Sequence, residues 1–140
     1  HCIWVSRKSS IPEKIVVSPT NIIWASGLRT WKNLASRGIN CRIINMSTIK
    51  PIDASIIIES ARKTGAIVTA EEHYIHGGLG SAVGLILGNN IPTPTENVAL
   101  TQYAESGPPS ELLKKYNLSS SAIEDSVEKV VSRKAKKPIS

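Results

Sequence analysis

Glu71, Glu72, His73 and His76 stand within six positions of one another in "AEEHYIHGGLGSAVG" (70–84), a stretch that also carries Gly77, Gly78, Gly80 and Gly84. Carboxylates beside histidines suggest a metal site or acid–base chemistry, and glycines at a strand-to-helix junction suggest an anion cradle. The metal reading meets an obstacle in the spacing. Zinc needs three or four ligands, the H-E-x-x-H arrangement that sets two histidines on one helical face is absent, and no other Cys or His lies nearby in sequence. No metal ligands and no catalytic residues are assigned in this chain. The dinucleotide fingerprint G-x-G-x-x-G is also missed, since Gly78, Gly80 and Gly84 are one residue too widely spaced, and there is no Gly-Lys-Ser/Thr of a P-loop. A generic anion at the helix start remains open, because backbone amides are present whatever the ligand. The plainer alternative is a tight turn, with Glu72 and His73 hydrogen-bonded to free amides and Gly84 and Ala82 in close contact with the sheet. The residues of this anion-or-turn candidate are Glu72, His73, Gly77, Gly78, Gly80 and Ser81.

These residues need elements to hold them. The chain alternates short β-rich runs with helical ones, the pattern of a parallel sheet with crossover helices. "NIIWAS" reads as a strand, followed by a helix from about Leu28 to Arg37 that stops at Gly38. "CRIINM" is the next strand; Pro51 blocks its continuation, and Asp53 caps the helix "ASIIIESARKT", which ends at Gly65. "AIVTAEE" delivers the chain into the glycine cluster, with a helix expected from Ser81 to about Leu87 and a strand at "VALTQY". Pro108 and Pro109 open a short helix that Asn117 closes. Ser121 and Glu124 form a capping box ahead of Ile123, Val127, Val130 and Val131, a stripe that should lie on the sheet. The fold class is therefore α/β, three layers α/β/α around a mostly parallel sheet of roughly five strands.

Composition narrows the function classes. The 140 residues are 41% hydrophobic and 20% charged, with no Phe, which describes a globular domain cored by Ile, Val, Leu and Ala. The net charge of +6 gathers at the ends, around Arg7, Lys8 and Lys14 and from Lys129 to Lys137, without the interleaved aromatics of a nucleic-acid surface. No run reaches the roughly 20 apolar residues that span a bilayer. "HCIWVSRKSS" has no signal-peptide core, so a cytoplasmic protein with neither nucleic-acid nor membrane partners is expected. Cys2 and Cys41 are too few for a disulfide framework, and Cys41 reads as a small buried hydrophobe.

The order "TIKPID", "VTAEEHYIHGGLGSAV", "ESGPPSELLKKYNLSSSAIEDSV" resembles the C-terminal domain of transketolases, thiamine-diphosphate enzymes that move two-carbon ketol units between sugar phosphates. The likeness runs from about Ile22 to Val131; 1-deoxyxylulose-5-phosphate synthases and the β-chains of 2-oxo-acid dehydrogenases share parts of it. "CIWVSRKSSIP" resembles the last strand of the preceding pyrimidine-binding domain, in which the arginine matched by Arg7 binds the substrate phosphate. The resemblance thus implies residues 1–20 as a remnant of that domain and linker, 21–133 as the C-terminal domain and 134–140 as a basic tail. It implies that thiamine diphosphate and a divalent metal (Mg or Ca) belong to the complete enzyme and that this chain alone binds neither. The partners it implies are a second copy in a homodimer, or the missing thiamine-binding domains or subunit, with sugar phosphates as substrates of the whole. The isolated chain is then expected to be a structural or dimerisation domain without activity, with Leu79, Val83 and their neighbours facing a partner. A free-standing module that captures a phosphate-bearing effector at residues 77–81 is the alternative of another class.

Overall fold

The structure is a computed structural model that describes residues 2–4 and 28–135. Nine elements follow in order: β1 (Cys2–Trp4), α1 (Leu28–Ser36), β2 (Ile43–Asn45), α2 (Ala54–Thr64), β3 (Ile67–Tyr74), α3 (Leu79–Asn90), β4 (Thr95–Leu100), α4 (Pro109–Lys115) and α5 (Ser120–Ala135). The expected strand at "NIIWAS", Arg7 and the boundary near residue 20 lie outside the described residues. The boundary at 134 falls inside α5.

The strands form one sheet in the order β2-β1-β3-β4, and each adjacent pair is parallel. Among the described residues the sheet has four strands, against the roughly five expected. Cys2–Trp4, which the resemblance gives to a preceding domain, pairs on both sides within this sheet, Ile3 lying opposite Ile44 and Thr69.

Local chemistry accounts for the helix limits. Asp53 adopts an extended conformation and its Oδ1 accepts the Ile56 N–H at 3.1 Å, which satisfies one of the donors orphaned at a helix start. Gly65 ends α2 in the left-handed conformation (φ 67°), its N–H reaching the Ala61 carbonyl at 2.8 Å. Asn117 takes the same conformation after α4 (φ 54°). The expected Ser121–Glu124 capping box is not formed. Ser119 occupies the cap instead, its Oγ 3.4 Å from the Ala122 amide, and α5 begins two residues earlier than that box requires. Glu124 is drawn away by the Arg37 guanidinium at 3.0 Å and the Asn33 amide at 3.1 Å.

Helices cover both faces of the sheet, so each face has its own apolar core. On one side Leu34 of α1 and Ile123, Val127 and Val130 of α5 pack on Val68, Ala70 and Val98. The predicted α5 stripe is thus on the sheet: those three residues are fully buried, and Val131 is packed at the rim. On the other side Ile57 and Ala61 of α2 and Leu79, Val83 and Leu87 of α3 pack on Ile44 and Ile67. This is the three-layer α/β/α arrangement. A fully buried side chain of this size contributes about 1.5–3 kcal/mol, so the two cores rather than helix propensity hold the layers.

Candidate functional site

Strand alternation sets which side chains of β3 reach α3. Ile67 faces the α2–α3 side, and Thr69 and Glu71 follow it at steps of two; all three are buried. Beyond Ala70 the pairing with β4 becomes irregular: Ala70 lies opposite Val98 and Tyr74 opposite Leu100, so four steps along β3 match two along β4. Such a bulge re-aims side chains locally. Glu71 sits in it, beneath the first turn of α3.

The Glu71 carboxylate accepts the Leu79 N–H at 2.6 Å (Oε2) and the Gly80 N–H at 2.8 Å (Oε1). A helix N-terminus presents unpaired donors and a partial positive charge, and a carboxylate satisfies both. The anion left open for this helix start is therefore part of the chain itself. The rest of the turn is also closed internally: Gly77, at φ 82°, donates its N–H to Ser81 Oγ at 2.9 Å, and Ser81 Oγ donates to the Ile75 carbonyl at 2.7 Å. Behind it, Thr69 Oγ1 donates to Asn97 Oδ1 at 2.6 Å, joining β3 to β4 under Gly80.

Two glycines are demanded by close approach. A Cβ on Gly78 would collide with the Glu71 carboxylate and lie 2.7 Å from the Tyr74 carbonyl; one on Gly80 would lie 2.6 Å from Asn97 Oδ1. Gly84, expected to be a close-contact position, has nothing within 4 Å of its notional Cβ. α3 extends from Leu79 to Asn90, two residues earlier and three later than the Ser81–Leu87 expectation, because the Glu71 cap lets the helix begin at Leu79.

Several expectations change accordingly. Glu72 and His73 do not fix the turn; both are exposed, and His73 Nδ1 makes only a local 3.1 Å contact with the Tyr74 carbonyl. His76 is exposed as well. Gly77, Gly78, Gly80 and Ser81 are brought together by the turn, with Glu71 as its organising group. Leu79 and Val83 face the protein's own core rather than a partner. No group of three His, Cys, Asp or Glu side chains suited to a metal occurs among the described residues. Cys41 is buried, and burial pushes its thiol up to about 12, far from a nucleophile's range. Asn97 and Thr69 were not legible as site residues, since no local motif links positions so far apart.

The profile of the family described as "Transketolase, C-terminal domain" matches residues 25–123, most of the chain and all of the β3–α3 turn. The chain belongs to the transketolase C-terminal domain family. It is 36% identical over 121 residues to a 6-deoxy-6-sulfo-D-fructose transketolase subunit of Clostridium sp. (strain MSTE9), covering 86% of this chain and 38% of that protein. It is 32% identical over 122 residues to the transketolase of Mus musculus, covering 86% of this chain and 20% of that protein. Among solved structures, the chain titled "Split gene transketolase, inactive beta4 tetramer" superposes with a TM-score of 0.76 at 38% identity, over 85% of this chain and 41% of that one. The chain thus spans well under half the length of these relatives. What it shares with the family is this domain, whose glycine-rich turn is a self-capped joint between β3 and α3. No helix among the described residues is long and apolar enough to cross a membrane.

Proposed function

We propose that this chain is the C-terminal part of a transketolase and that, by itself, it is a structural and assembly domain rather than a catalyst. The observation that carries this reading is the Glu71 contact: the helix start best suited to an anion is filled by the chain's own carboxylate. Supporting this reading for thiamine diphosphate and its metal, the Leu79 and Gly80 amides at the start of α3 are taken by Glu71, and no cluster of three metal-ligating side chains occurs among the described residues. Those groups, and the sugar phosphates, belong with the thiamine-binding domains of the complete cytoplasmic enzyme, whether supplied by the same polypeptide or by another subunit. Arg7, carried over from the family resemblance, would contribute to the substrate phosphate there. The same Glu71 contact weighs against a free-standing phosphate-effector module. The match to transketolases and a transketolase subunit supports this branch over the synthase and dehydrogenase relatives.

Assembly is the role left to this domain, and the outer side of α3 is suited to it. Its twelve residues carry no charge, Leu85 is 68% exposed, and nothing lies within 4 Å of a Cβ on Gly84 or Gly88. Small residues permit close backbone approach, and a helix without a charged face is poorly matched to water. The expected partner of this face is a second copy of the chain; the related solved chain carries a tetramer in its title.

The purified chain, given thiamine diphosphate, Mg and sugar phosphates, is expected to show no ketol transfer and no calorimetric binding of the cofactor. Adding a polypeptide that carries the thiamine-binding domains is expected to produce transfer. Activity of the chain alone would overturn the reading.

A further inference from the structure

We draw no further inference here: the strongest candidate, the exposed edge-to-face pair of Tyr74 and Tyr103 at the C-terminal end of β3 and β4, carries nothing because no feature of the structure shows what covers it.

Discussion

Glu71 Oε2 lies 2.6 Å from the amide nitrogen of Leu79, so a side chain within one strand supplies the N-terminal cap of the helix that begins eight residues later. The contact is 9% exposed at Glu71 and fully buried at Leu79, where water cannot replace it. The turn between them is thereby held as a loop closed at both ends.

Glu71→Ala is expected to destabilise the chain by about 2–3 kcal/mol, from two buried amides left unpaired and a lost helix-dipole interaction. Glu72→Ala, on an exposed side chain next to it, should change stability by less than about 0.5 kcal/mol. Urea unfolding of the two variants tests the assignment. Equal losses would remove Glu71 from its special place.

The glycines should divide into two classes. Gly80→Ala forces a methyl against Asn97 Oδ1 and should cost about 1–3 kcal/mol. Gly84→Ala and Gly88→Ala meet nothing and should stabilise the isolated chain by about 0.5–1 kcal/mol each, through helix propensity. Thermal melts of the three single variants would reveal the split, and a loss at Gly88 would contradict it.

If the outer side of α3 meets a second copy, Leu85→Asp should shift the chain toward monomer in sedimentation, yet melt like the wild type at dilutions where both are monomeric, because Leu85 is mostly solvent-exposed in the single chain. A wild-type chain that stays monomeric at high concentration, yet still supports ketol transfer with the thiamine domains, would remove this contact and leave the transketolase reading intact.

Asp53 links α2 to pH. The Ser55 hydroxyl, then the Ile56 amide, hold its carboxyl below the usual carboxylate range. A depressed folded-state pKa means the stabilisation is present above the ordinary Asp value and is lost as pH falls through the lower folded value. Asp53→Asn should therefore lower the melting temperature near pH 7 and converge on the wild type in more acidic buffer. Parallel curves from pH 7 to 3 would contradict this.

In a Cys2→Ser background, a thiol reagent at pH 8 should leave native protein unmodified and label Cys41 only after unfolding, because the thiol is buried and its pKa is about 12. Rapid native-state labelling would show that β2 and its surroundings open readily.

Much of this architecture was written locally. The Asp53 cap and Gly65 stop delimit α2 within two or three residues of chain, and Ile123, Val127 and Val130 declare their common face by helical spacing alone. The ordered motifs around the glycine turn were enough to point to the family. Local rules failed where two local solutions competed. Ser121 with Glu124 satisfied a capping pattern, yet Arg37, 87 residues from Glu124, took the carboxylate and Ser119 became the cap.

The sequence alone determined the alternating elements, the Asp53 and Gly65 caps of α2 and the presence of a tight glycine turn, because each depends on neighbours within a few residues. Only the tertiary structure decided which face held α3 and that Glu71 rather than Glu72 lies beneath it, since helices cover both sides of a parallel sheet. It also decided that Thr69 and Asn97, 28 residues apart, meet beneath Gly80. A busy cluster of charged and small residues became a buried cap because strand register and helix packing, which no short window of sequence contains, brought one carboxylate onto two amides.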